Sequence, residues 1–315
     1  LVSFDLFDTI ITRIIASPSD LFLFLKDRIP QNVLSKRIQS ARNSECYTLF
    51  EIYYQIVRDP DIASTYAALE FEIDTRLMVP RKEVIFEFNE VIASGIDVVI
   101  TSDTNYTEEQ IKIILDMHSI FGYVSIYSSA SIRKSKFFGD LYEHILNKTN
   151  FMASEVLHIG DNIFSDIDMA KKFRIQTLYF PSRIDNYCAH RTNAIAFSQR
   201  RTPLDSLSIG LIKNTFFNSS QTAPFHGRID VFGYMAYGPI YLLVAINIIR
   251  LAQESDSSTI HFVSRDGYNM QSIVRMICEK YGIKQKINYI YCSRPQVEMF
   301  GIKDTRALIE FYNKR

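Results

Sequence analysis

Two short apolar runs in this 315-residue chain open onto acids. Leu1-Val2-Ser3-Phe4-Asp5-Leu6-Phe7-Asp8-Thr9-Ile10 carries two carboxylates and a hydroxyl, and Val156-Leu157-His158-Ile159 leads to Gly160-Asp161-Asn162 and then Ser165-Asp166. Strand ends that project acids are what a divalent-cation site in an open α/β sheet requires, because ligands bind beyond the carboxyl ends of parallel strands. Between them, Ile96–Ile100 ends in Thr101-Ser102-Asp103, and Tyr123–Tyr127 is followed by Lys134 and Lys136. An acid pair, a hydroxyl, a lysine and a second acid pair form a set suited to phosphoryl transfer. One carboxylate attacks, hydroxyl and ammonium hold the oxygens in transfer, and the other acids hold Mg²⁺.

In this order the four segments resemble the motifs of the haloacid dehalogenase (HAD) superfamily, over residues 1 to about 180. The resemblance implies a HAD-like Rossmannoid α/β fold. It makes Asp5 the nucleophile, Ser102 the hydroxyl of the second motif, and Asp161 and Asp166 the acids that bind Mg²⁺, together with Asp5 and the carbonyl of Phe7. The lysine is Lys134 or Lys136. Lys136 is preferred, because Leu141 and Tyr142 follow it as the apolar pair of a helix. Asp8, Thr9, Thr101 and Asn105 are further candidates for substrate binding, whereas His158 reads as a packed core histidine.

One position departs from the phosphatases of the superfamily, which carry a second Asp two residues after the nucleophile. Here that position is Phe7. Losing a general acid/base costs about 10²–10⁴ in rate, so simple alkyl phosphate esters should be poor substrates. Asp8 does not inherit the role on a strand, where consecutive side chains face opposite ways; on a turn the objection weakens. Dehalogenases also lack the second Asp but do not depend on the metal that Asp161 and Asp166 are placed to bind. Three readings follow: Mg²⁺-dependent phosphoryl transfer with weakened catalysis, a non-catalytic module that binds a phospho-ligand or partner enzyme, and C–halogen hydrolysis that survives EDTA.

Phe4-Asp-Leu-Phe-Asp-Thr9, His158-Ile-Gly-Asp-Asn162 and Phe262-Val-Ser-Arg-Asp-Gly-Tyr268 together are similar to large bacterial HAD hydrolases found with, or fused to, glycosyltransferases of surface-polysaccharide synthesis. That similarity implies a phosphorylated small molecule or sugar phosphate as substrate and a glycosyltransferase as partner. Fold and neighbourhood alone do not fix a reaction.

The elements that must position these residues alternate between strand and helix from Lys82 to Phe180, the rhythm of a parallel sheet. The core is expected at 1–12 and 80–181. Residues 13–79 read as a helical cap that closes over the site, opened by Ser17-Pro18-Ser19-Asp20. Residues 182–226 are rich in polar and turn residues and read as a linker or docking segment. Residues 227–315 read as a second, smaller Rossmann-like α/β domain, incomplete at its end. Its two strands end in Ser264-Arg265 and Ser293-Arg294, which either form a second anion site in one crevice or serve structural ion pairs.

Lys plus Arg and Asp plus Glu balance at 35 each, which gives no electrostatic case for nucleic acid. Cys46, Cys188, Cys278 and Cys292 are widely spaced, so reduced cytoplasmic thiols are expected rather than a zinc site or disulfides. No signal peptide is visible, and the chain reads as a fragment. Its most apolar run, Ile240–Ile249, is about half the roughly 20 residues that span a bilayer, so a buried helix and no membrane span are expected.

Overall fold

The computed structural model describes residues 1–40, 46–218, 227–264, 267–292, 304–306 and 309. The chain divides into two compact units, residues 1–224 and 225–315. The first unit contains the strands β1 (Val2–Asp5), β2 (Ile11–Arg13), β3 (Met78–Pro80), β4 (Val98–Ser102), β5 (Ser125–Ser128), β6 (Leu157–Gly160) and β7 (Gln176–Tyr179). Five of them form a parallel sheet in the order β5-β4-β1-β6-β7, as the alternating pattern predicts. β1 lies at its centre and is buried along its whole length, the usual state of a parallel strand covered on both faces.

Alternation along β4 divides the core. Val98 and Ile100 pack with Phe88, Ile111 and Leu115 from the helices Lys82–Ala93 and Glu108–Met117. Val99, pointing the other way, packs with Leu141 and Ile145 of the helix Asp140–Thr149. Helices therefore cover both faces, and the carboxyl ends of β1, β4 and β6 stay side by side at one edge of the sheet.

β2 and β3 pair antiparallel, Arg13 opposite Met78, and make the stem through which a helical insert leaves and returns. The insert contains the helices Leu21–Leu25, Gln31–Ser40, Leu49–Val57 and Pro60–Leu77. Thr48 and Glu51 close a reciprocal capping box at one helix start, and Asp59 caps the next helix ahead of Pro60.

The expected linker is largely helical: Arg183–Cys188, Arg191–Gln199 and Pro203–Phe216. The last of these docks on the stem. Ser206 Oγ accepts from the Ala16 amide at 3.0 Å and donates to Asp20 at 2.7 Å, and Asn214 Nδ2 donates to the Arg13 carbonyl at 2.9 Å. A Cβ at Gly210 would lie 1.9 Å from the Ile14 carbonyl oxygen, so glycine is what permits this approach.

In the second unit, β8 (Thr259–Val263) and β9 (Lys286–Ile290) pair parallel on either side of the helix Gly267–Tyr281 in sequence. Ala245, Ile249, Phe262, Val274 and Cys278 form its core. The helical run before β8 corrects the sequence expectation of a short buried helix. It extends over Ile229–Glu254, 26 residues with a mean hydropathy of 1.6 in its most apolar stretch, long and apolar enough to cross a membrane, and only 11% of that stretch is buried. Gly238-Pro239 reads as a helix start, but the π-helical stretch Gly233–Tyr237 leads directly into the helix Gly238–Glu254, so the winding continues across it.

Candidate active site

The sheet register brings the chemistry-bearing residues together. β1 pairs with β4 so that Asp5 lies opposite Thr101, with Ser102 one residue further on, and β6 on the other flank ends at Gly160. Carboxylate oxygens of Asp5, Asp161 and Asp166 all lie within 4.8 Å of one another. Lys136, not Lys134, reaches them: its buried Nζ is 2.5 Å from Asp5 Oδ1 and 2.6 Å from Asp166 Oδ1. Its loop is held by Asp103, which accepts from the amides of Lys136 and Phe137 at 2.8 and 3.0 Å.

The acidic loop is shaped by local rules. Asn162 Oδ1 accepts from the amides of Phe164 and Ser165, both at 3.0 Å, and starts the π-helical stretch Ile163–Asp168. That stretch turns Asp166 back so that its Oδ2 accepts from the Asn162 amide at 2.9 Å. A Cβ on residue 160 would sit 2.4 Å from Asp166 Cγ, which explains the glycine before Asp161.

His158 lies beneath this loop, a core histidine as the sequence predicts, with a second task. Its Nε2 is 3.3 Å from Asp166 Oδ1 and its Nδ1 is 2.9 Å from Ser3 Oγ. Burial lowers its pKa, so the ring is neutral near pH 7. A carboxylate only accepts, so Nε2 donates to Asp166 and Nδ1 accepts from Ser3. The chain continues to Thr101, whose Oγ1 is 2.8 Å from Ser3 Oγ. The Thr101 hydroxyl, fully buried, is thereby committed to this chain beneath Asp5.

Burial opposes charge on Lys136, but Asp166 and Asp5 outweigh it and hold its pKa well above the usual value. Asp166 falls below the ordinary carboxylate range, because Lys136 and His158 overcome the effect of burial. Burial pushes Asp5 up to about 7 against the pull of Lys136. Burial together with Asp5, Asp8 and Asp166 pushes Asp161 up to about 9. Such crowding is relieved by a cation: the donor set is all oxygen, which suits a hard ion such as Mg²⁺. Ser102 Oγ is buried without a hydrogen-bond partner. An unmade bond of this kind costs about 1–3 kcal/mol, and an oxygen of a bound ligand would satisfy it.

The remaining candidates have distinct places. Asp8 lies on the turn after β1 with φ 57°, its carbonyl accepting from Arg81 and its carboxylate from Thr12 at 2.8 Å. Asp8 and Asp161 line an open hollow of about 420 Å³. The Phe7 ring packs edge-on against Tyr106 and under the guanidinium of Arg13, 4.7 Å from its centroid. Asn105 Nδ2 donates to the Tyr47 carbonyl at 2.9 Å, tying the insert to the core. Of the proposed second anion site, Arg265, Ser293 and Arg294 lie outside the described residues. Ser264 Oγ contacts the Cys292 carbonyl and amide, both at 2.9 Å, so its hydroxyl serves the backbone.

A second polar cluster was not foreseen. On the helix Pro60–Leu77, Glu70 and Asp74 are one turn apart and each receives three donors. Arg37 Nε and Nη2 reach Glu70 at 3.0 and 2.6 Å, and the Tyr53 hydroxyl donates to it at 2.7 Å. Arg13 Nε and Nη2 both reach Asp74 at 2.7 Å, and the Tyr106 hydroxyl donates at 2.5 Å. The one signal in the sequence is the spacing of two acids on one helix face.

Residues 2–180 match a family described as haloacid dehalogenase-like hydrolase. No curated protein matches the sequence. Similar solved structures include a 2-haloacid dehalogenase from Pseudomonas syringae pv. Tomato DC3000, 17% identical, with 57% of this chain and 85% of that one covered at a TM-score of 0.41. A HAD family enzyme from Bacteroides thetaiotaomicron, in complex with magnesium and inorganic phosphate, is 13% identical, with 57% and 93% covered at 0.44. A predicted phosphoglycolate phosphatase from Haemophilus somnus 129pt is 14% identical, with 57% and 84% covered at 0.42.

Proposed function

The chain belongs to the haloacid dehalogenase-like hydrolases, and from that premise we propose that it transfers the phosphoryl group of a phosphorylated small molecule to Asp5 in a Mg²⁺-dependent reaction. The observation that carries this reading is Lys136, held between Asp5 and Asp166, with the hydroxyl of Ser102 at the end of the neighbouring strand buried and unpartnered. Asp5, Asp161, Asp166 and the carbonyl of Phe7 would hold the ion, which offsets negative charge on the phosphoryl oxygens when bound.

In the first step a carboxylate oxygen of Asp5 bonds to phosphorus, and the bond to the leaving oxygen breaks with its electron pair. Lys136 and Ser102 hold the transferring oxygens as their charge shifts. His158, donating to Asp166, keeps that acid turned toward Lys136. With Phe7 where a second acid would stand, and the Asp8 carboxylate on the turn bonded to Thr12 instead, the leaving oxygen departs without a proton from a neighbouring side chain. Acyl and anhydride-type phosphates, whose leaving groups are weakly basic, should lose least by this, and water should attack the aspartyl-phosphate slowly. Sugar phosphates and a glycosyltransferase partner belong to the same proposal and rest on the similarity of three sequence segments, and a cytoplasmic location belongs to it on the spacing of the four cysteines.

The test is hydrolysis of acetyl phosphate and of an aryl phosphate with and without Mg²⁺, against Asp5→Asn. Turnover that needs the metal and disappears in the variant is expected. Tight Mg²⁺-dependent ligand binding without turnover would assign the site to binding instead, and turnover of a 2-haloacid that survives EDTA, with neither phosphate hydrolysed, would assign it to C–halogen chemistry.

A further inference from the structure

A cavity of about 350 Å³ lies between the helical insert and the core, lined by Phe7, Asp103, the two arginines and the two acids of the polar cluster. It borders the nucleophile's surroundings on two sides. Phe7 is two residues beyond Asp5, and Asp103 follows Ser102 and accepts from the backbone amide of Lys136. A leaving group departing from phosphorus at Asp5 has this space open to it.

The charge of the cavity is already balanced. Arg37 is forked by Glu70 and Arg13 by Asp74, and both tyrosine hydroxyls are spent on the same acids. Asp103 adds a further acid to the lining. A second anionic group brought in by the substrate would find no free countercharge and would face that carboxylate. Of the cluster, Arg37 Nη1 is buried without an acceptor, which leaves its N–H donors for a hydroxyl oxygen of the ligand. Phe7, under the Arg13 guanidinium, and Phe22, 5.4 Å from that of Arg37, give the cavity apolar walls.

We propose that this cavity receives the substrate's leaving group and selects an uncharged, hydroxyl-bearing one with an apolar face, against one that carries a second carboxylate or phosphate. The inference rests on the phosphoryl-transfer reading of the Asp5 site. Glu70 and Asp74 act here as specificity determinants, because by neutralising two arginines they remove what would otherwise be an anion trap.

Glycerol phosphate and phosphoglycerate share a three-carbon skeleton and differ in the carboxylate. Binding of each to the full chain carrying Asp5→Asn, in the presence of Mg²⁺, should favour glycerol phosphate by at least about tenfold. In Asp5→Asn combined with Glu70→Gln, which uncovers the charge of Arg37 and keeps an acceptor for Tyr53, the ratio should shift toward phosphoglycerate. Equal binding, or tighter binding of phosphoglycerate by the Asp5→Asn protein, overturns the selectivity while leaving the phosphoryl reading standing. Failure to bind either ester, in protein that binds Mg²⁺, overturns both. The Asp5→Asn comparison stands alone if the double variant does not fold.

Discussion

The cluster around Lys136 and the cluster around Glu70 and Asp74 bury the same kinds of groups and balance them differently. In the second, two acids meet two arginines and two tyrosines, and each carboxylate receives three donors. In the first, one lysine ammonium serves Asp5 and Asp166, which lie with Asp161 within 4.8 Å of one another, and the hydroxyl of Ser102 is buried without a partner. The closed cluster fastens the insert, since Tyr106 reaches Asp74 from the core side. The open one keeps excess negative charge and an unmade hydrogen bond that a cation and an oxyanion would complete. Stability has been given up where a ligand is to bind and kept where the fold is to hold.

Asp5→Asn sharpens the contrast most. Turnover of an aryl phosphate should fall by about 10³ or more, as for loss of a nucleophile elsewhere. The melting temperature should hold or rise, because one of several crowded carboxylates is neutralised while Lys136 keeps Asp166. A large drop in melting temperature would show the open cluster to be structural.

Glu70→Ala should do the reverse to stability. It strands Arg37 in the interior with no counterion and leaves the Tyr53 hydroxyl without its acceptor, at a cost of about 3–5 kcal/mol, readable as a lower urea midpoint. A cost near zero would place this pair with exposed ion pairs and dissolve the comparison.

Mg²⁺ should stabilise the protein through the open cluster by about 2.7 kcal/mol at a hundredfold excess over its Kd. The gain, followed by thermal shift, should vanish in Asp161→Ala; if it persists there, the ion binds elsewhere. The smallest effect is expected outside both clusters. Thr48→Ala removes one half of a capping box and should cost about 1 kcal/mol with kcat/KM unchanged.

The open cluster was legible because Asp5 and Ser102 end their strands and Lys136, Asp161 and Asp166 follow theirs within about eight residues, so local sequence order carries the geometry. The preference for Lys136 agrees with the contacts its Nζ makes, and the apolar pair Leu141 and Tyr142 is buried as the helix pattern implies. The closed cluster was not legible. Arg13 and Asp74, or Arg37 and Glu70, are far apart in sequence, and isolated charges of this kind usually mark a solvated surface. The docking helix Pro203–Phe216 was obscured for a related reason: its anchors Ser206, Gly210 and Asn214 are residue types that read as turns when their partners are unknown. The contact of the Thr101 hydroxyl with Ser3 was not legible either, because it joins residues 98 apart in sequence.

The most direct measurement is the mass of the intact protein after incubation with acetyl phosphate and Mg²⁺. With no acid/base at Phe7 to activate water, a single phosphoryl adduct should accumulate, map to Asp5, and be absent in Asp5→Asn and in the presence of EDTA. Metal-dependent turnover that continues in Asp5→Asn, with no adduct on the wild-type chain, would contradict the assignment of Asp5 as the nucleophile.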